Sequence, residues 1–281
     1  MTATLAFGRP VLVPLAAREA RRLVLNPVFL FAVVTAWTTW TGGGSATPEI
    51  DNVNGYPAVF LGGFGMMATY WLTRSMRASE PVAGVTPTTR PTRTAALCWV
   101  AIVPFFCGVL TLFGFLHPYP VGDAVYGPFS PSARLAVLVG QIVVPSLGGP
   151  LLGVALGRWV RFPGAAFVLF LVIFGWVELV TILTLSHQDS APIAVLRLFS
   201  PFAFFTVQAD SGAVTAWRGS PWFFIGWQLG LCAIAVLVAL LSGAEGPLRS
   251  RIIRALGIAG AAAVILLVLA GTGGFTHAVT T

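Results

Sequence analysis

Ser186, His187 and Asp189 crowd into one short stretch, and these are the residue types of a nucleophilic triad. Neighbours in sequence cannot build one, because its members meet at fixed angles from separate elements. His117, His187 and His277 fall in polar connections or the tail, so no H-E-x-x-H pair is available for an intramembrane metalloprotease. Gly62-Gly63-Phe64-Gly65 sits inside an apolar run, which removes a dinucleotide loop. Cys98, Cys107 and Cys232 also lie in apolar runs and read as small buried side chains, without disulfide or metal spacing. All 16 basic residues are arginine. Without a lysine there is no Walker A phosphate loop and no retinal Schiff base. The chain is therefore not expected to be an enzyme by itself, and no catalytic, cofactor or metal residue is assigned in it.

Two sets of residues keep a chemical role. The first is the polar loop 74–93, R-S-M-R-A-S-E-P-V-A-G-V-T-P-T-T-R-P-T-R, which carries four arginines between apolar segments. It is the place where a soluble partner would meet this chain. The second is Glu178, the one ionisable residue deep in an expected span. A charge at that depth costs about 3 kcal/mol on insertion scales, so it should face protein or water. Phe167, Phe170, Phe174 and Glu178 share a helical face at three- and four-residue spacing. That face either lines a translocation cavity, with Glu178 on a polar or cationic part of an amphipathic cargo, or locks helices together through a protonated or hydrogen-bonded acid.

The elements that position these residues follow from composition. The chain has 281 residues, 57% hydrophobic and 9% charged, and a mean hydropathy of +0.88. Soluble domains carry about a quarter charged residues, so the expected solvent is lipid. The expected fold is all-α: a polytopic membrane helix bundle with six core transmembrane helices, a seventh, and an N-terminal interfacial amphipathic helix.

Residues 1–22 form the cytoplasmic segment, with a helix from Pro14 to Val24 whose Arg18, Arg21 and Arg22 face anionic lipid and whose Glu19 pairs with Arg22. An unstructured basic flank is the alternative. Residues 23–242 hold the six spans: 23–40, 56–73, 94–116, 133–157, 163–185 and 222–242. In the second, Ala58, Gly62, Gly65 and Thr69 place small side chains on one face, which lets backbones approach. In the fourth, Gly148-Gly149-Pro150 predicts an interruption at mid-depth. The external loop 186–221 contains the aromatic piece 196–205, expected to dip into the bilayer. Residues 243–281 supply a cytoplasmic turn with Arg249, Arg251 and Arg254, then the extra helix at 255–275.

Charge orients the bundle. With the N-terminus in the cytoplasm, thirteen arginines lie inside and only Arg134, Arg197 and Arg218 outside, as the positive-inside rule requires. The net charge of +7 is thereby accounted for without nucleic acid, since no basic stripe interleaves with exposed aromatics. The lipid bilayer of the plasma membrane is the expected partner surface.

At this point the chain resembles the permease subunit of type-2 ABC exporters. R-E-A-R-R-L-V-L-N-P-V-F resembles that family's connecting helix running into its first span. In the loop, Glu80 followed by Pro87, Thr88, Thr89 and Arg90 is similar to its coupling segment, and L-F-S-P-F-A-F-F to its external re-entrant segment. Six spans with inward arginines complete the likeness, which covers most of residues 10–242. A segment at 255–275 departs from it, since the family usually ends inside after six spans. The resemblance implies a dimer of permease chains, identical or different, that recruits separate ATP-binding cassette subunits, with ATP and Mg bound there and not here. It implies that Arg77, Glu80, Pro87 and Arg90 contact that partner, and that the exported cargo is hydrophobic or amphipathic.

A gradient-driven secondary transporter is the first rival. It would want several membrane acids and inverted repeats between halves, and neither is visible. A non-transporting assembly or immunity protein is the second. A cargo contact at Glu178 predicts that Glu178→Gln lowers export while protein yield is unchanged. Unchanged export in Glu178→Gln, with only a lower yield in Glu178→Ala, would leave the acid a structural part.

Overall fold

Asparagine and proline decide where the first helix stops. In the computed structural model, which describes residues 9–41, 58–79, 88–116, 131–186, 199, 208–210, 213–215 and 220–272, helix α1 runs Arg9–Val24 and α2 Pro27–Thr41. Asn26 Oδ1 accepts from Val28 N at 2.9 Å and Pro27 takes the first helical position, so α2 starts with a side-chain cap. The axes turn by 65° at this break. The span expected from residue 23 therefore begins at Pro27, and Leu23 belongs to α1, where it is fully buried.

The next helix opens as a π-turn, Ala58–Phe64, and continues as α3, Gly65–Ala78. Helices α4 (Arg90–Val100) and α5 (Ile102–Leu116) follow, meeting at Ala101. Next come α6 (Pro131–Leu138), a second π-turn (Val139–Val143) and α7 (Val144–Trp159). The sequence expectation of a break at Gly148-Gly149-Pro150 is corrected here. Pro150 lies inside an unbroken α7, and the irregular turn comes earlier, ahead of Pro145. Helix α8 spans Ala165–Ser186, α9 Pro221–Leu241 and α10 Gly246–Thr272. Among the described residues the strands are confined to a hairpin in which β1 (Gln208–Asp210) pairs antiparallel with β2 (Ala213–Thr215).

Four stretches, Arg90–Gly114, Leu135–Trp159, Pro221–Leu241 and Gly246–Thr272, are long and apolar enough to cross a bilayer alone. The bent pair Val11–Val24 and Pro27–Thr38 makes a fifth if it is one span. The chain is a helical membrane bundle of several passes. Its last helix starts well before residue 255, because Gly246 turns the chain at φ 53 and Pro247 fits the first helical position. Arg249, Arg251 and Arg254 thus ride on α10 and not in a loop.

The bundle closes on one contact between backbones. Gly149, Gly153 and Gly157 repeat every fourth residue along α7, and they meet the small face of the first π-turn and α3. A Cβ on Gly149 would overlap the Gly62 carbonyl, one on Gly153 the Met66 carbonyl, and one on Gly157 would lie 2.7 Å from Thr73 Cβ. Thr69 Oγ1 donates across the gap to the Pro150 carbonyl at 2.8 Å. The expected small face at Gly62, Gly65 and Thr69 is therefore the packing surface, and α7 supplies its counterpart. Around this seam Ala68, Leu72, Met76, Leu97, Val154 and Ala155 form the main core. Helices α9 and α10 pack as a second layer over Phe224, Trp227, Ala263 and Ala270. They run antiparallel, since Ser220 N, at the start of α9, donates to the Ala270 carbonyl near the end of α10 at 2.9 Å.

Gly149→Val should cost at least about 3 kcal/mol, the upper part of the overpacking range, because its neighbour is backbone that cannot rotate aside. Gly257→Ala and Gly260→Ala, whose new methyl groups meet open space inside α10, should not destabilise and should each gain up to about 1 kcal/mol from helix propensity. Denaturant titration of helicity in detergent measures all three.

Candidate functional site

One end of the bundle collects the basic helix termini. Arg22, near the end of α1, donates from Nη2 to Ser75 Oγ on α3 at 2.9 Å. Arg77, in the last turn of α3, donates from Nη1 to the Arg158 carbonyl on α7 at 3.0 Å. Trp159 Nε1 donates to the Val238 carbonyl on α9 at 2.8 Å. A Cβ on Gly243, in the turn before α10, would touch Arg90 Cβ at 2.9 Å. These contacts gather Arg22, Arg77, Arg90 and Arg158 at one physical end of the bundle.

Helix α1 is fastened there by its own acid. Arg22 Nη1 pairs with Glu19 Oε2 at 2.9 Å, and the Glu19 side chain is only 5% exposed. The pairing expected from sequence is present, and so is the outward placement of Arg18 and Arg21. The added finding is that Glu19 and Leu23 face the bundle, against α3 and α4. An isolated carboxylate would not be buried without a partner, so Arg22 supplies the charge and Ser75 fixes the guanidinium.

The bounds expected for the loop 74–93 are corrected here: residues 74–78 continue α3 and 90–93 already belong to α4, because their side chains are held by the bundle. On its near side Arg77 holds α7. On its far side Thr89 caps α4, its Oγ1 accepting from Thr92 N, while the buried Arg93 donates from Nε to Thr88 Oγ1 at 2.9 Å. Of the four partner-contact residues expected from the resemblance, Arg77 is half-buried and Arg90 exposed. Glu80 and Pro87 lie outside the described residues, as does most of the aromatic piece 196–205. Arg158 is buried too, its guanidinium reaching Met76 Sδ at 4.0 Å.

The phenylalanine face is divided by the fold. Phe170 packs over Gly63, 5.4 Å from the Phe64 ring, and stacks on Phe174 at 6.0 Å. Phe31 of α2 meets Phe64 from the other side, ring centroids 5.4 Å apart. Phe167, Phe174 and Glu178 are exposed on the outer side of α8. Glu178 stands about 20 Å along the axis from Ala165, at about 1.5 Å per residue. The start of α8 is itself held, because Tyr70 OH donates to the Phe162 carbonyl in the turn before it.

Gln141 and Gln228 are buried polar side chains that sequence reasoning passed over. Gln228 Nε2 donates to the Gly140 carbonyl at 3.0 Å. A lone glutamine in the apolar run Pro221–Leu241 was the available signal, since a membrane helix keeps such a group only for a partner. Among the described residues, no three of His, Cys, Asp or Glu gather as metal ligands. No family model, curated protein or solved structure matches the chain.

Glu19→Gln should loosen α1 and raise tryptic cleavage at Arg21 and Arg22 severalfold. Glu245→Gln, at an exposed acid, should leave the cleavage pattern unchanged.

Proposed function

We propose that this chain is the transmembrane subunit of an ATP-driven exporter of the type-2 ABC class. In this reading it moves a hydrophobic or amphipathic cargo outward, using nucleotide hydrolysed on a separate ATP-binding cassette subunit. The six spans are α2, the first π-turn with α3, α4 with α5, α6 through α7, α8 and α9, and α10 is a seventh. The N-terminus is cytoplasmic and the membrane is the plasma membrane.

The observation that carries the proposal is the anchoring on both sides of the loop 74–93. Arg77 is tied to the Arg158 carbonyl, and α4 begins with a capped turn beside α1 and the Gly243 turn. A push on that loop would reach α3, α7 and α4 together. Backbone-to-backbone packing would carry it as a rocking motion, because packed cores shift between discrete arrangements and do not deform smoothly. Glu80, Pro87, Arg77 and Arg90 would form the docking surface.

The outward face of α8 supports a cargo path between two permease chains. Exposed Glu178 on an apolar helix is costly against lipid, and a second chain facing Phe167, Phe174 and Glu178 would remove that cost. The cavity would then lie between the chains, with Phe170 as its inner wall and Glu178 touching a polar or cationic part of the cargo.

Affinity purification of the full chain from its native membrane is expected to bring down an ATP-binding cassette subunit. Arg90→Glu, at an exposed side chain, is expected to cut recovery of that subunit and the associated ATPase rate at least tenfold with normal permease yield. Purification without any such subunit, or equal recovery from Arg90→Glu, would sink the proposal.

A further inference from the structure

The helix that contains Pro145 can be hydrogen-bonded in two ways, and each way leaves a different carbonyl facing the proline. Pro145 has no N–H to give. In a continuous α-helix the carbonyl left without its backbone donor would be that of Gln141, four residues earlier. In the observed π-turn, Val144 N–H is committed to the Val139 carbonyl five residues back. The carbonyl facing Pro145 is then that of Gly140. A buried carbonyl in a membrane core needs a donor, and Gln228 supplies it from the neighbouring α9, Nε2 to Gly140 oxygen at 3.0 Å. Gly140 also leaves room for that side chain, since a Cβ there would come within 3.3 Å of Gln228 Oε1.

We infer that Val139–Val143 is a two-register hinge, and that the Gln228 amide holds it in the π register by capping the Gly140 carbonyl. Collapse to the α register removes one residue from the turn. It rotates residues 131–138 by about 100° and shifts them by about 1.5 Å relative to α7. Ala136 and Leu138, now buried, would be re-aimed, and with them the contact between α6 and α9. A second observation points the same way: the other π-turn, Ala58–Phe64, touches this one. Isolated π-turns inside α-helices are rare and occur frequently at functional sites. The inference concerns the helix itself and stands apart from what the protein exports.

The test uses a feature of the sequence: Gly140-Gln141 is its sole Gly-Gln peptide. Full-length protein labelled with carbonyl-13C glycine and 15N glutamine, in lipid nanodiscs, gives one nitrogen–carbonyl cross-peak in solid-state NMR. Gln228→Met keeps the side-chain length and removes the donor. It is expected to move the peak, or a second peak split from it, to the α-helical position, whereas Leu229→Ala on the exposed side of α9 leaves the peak in place. A shift elsewhere reports only the lost hydrogen bond and overturns the hinge. A single unmoved peak in Gln228→Met overturns the hinge. Should that variant fail to fold, Pro145→Ala decides the matter. It restores the missing N–H and is expected to shift the peak to its α-helical position, and an unmoved peak again overturns the inference.

Discussion

Glycine brought against backbone is the constraint on which the other contacts rest. At Gly149, Gly153 and Gly157 the second helix of the seam lies where any side chain would sit. Lipid offers no hydrophobic drive for helices to associate, so close packing and the Thr69 hydrogen bond to Pro150 have to hold this pair. The seam in turn sets the basic end. Arg77 reaches the Arg158 carbonyl and Tyr70 reaches the Phe162 carbonyl only because α3 and α7 are this close. Helix α8 is held by the Tyr70 bond before it and by Ala166 and Phe170 packed on the first π-turn and α3, an arrangement in which Glu178 faces outward.

Much of this was legible in residue spacing, and the failures have physical causes. The small face at Gly62, Gly65 and Thr69 could be read because its helical period is regular. Its partner was hidden by Pro150, which suggested a broken helix although α7 runs unbroken through it. The irregular turn lies instead ahead of Pro145, where the donor to the Gly140 carbonyl comes from Gln228, 88 positions along the chain from Gly140. No local rule connects those two residues. The first span was started too early because Leu23 is apolar, and apolarity alone does not separate a lipid-facing residue from one packed on the bundle. The pairing of Glu19 with Arg22 was legible as a local three-residue spacing, but the burial of Glu19 depends on α3 and α4.

For the phenylalanine face, helical spacing correctly put Phe167, Phe170, Phe174 and Glu178 on one stripe, but spacing is blind to what stands opposite it. In the fold Phe170 closes over Gly63 while its neighbours look outward. The stripe therefore works at a boundary, with one edge in the bundle and the other turned to lipid or a second chain. In the proposed exporter, the rigid seam carries displacement and this boundary receives it. In that reading the drive comes from the partner subunit, since a Walker A phosphate loop needs a lysine and this sequence has none.

Energy source is where the proposal is most exposed. Purified chain, reconstituted in vesicles with its ATP-binding partner and a fluorescent amphipathic amine, should accumulate the dye only when ATP and Mg are supplied on the partner's side. Proton or sodium gradients should have no effect. Dye movement driven by either gradient, in vesicles that hold this chain and no second polypeptide, would contradict it.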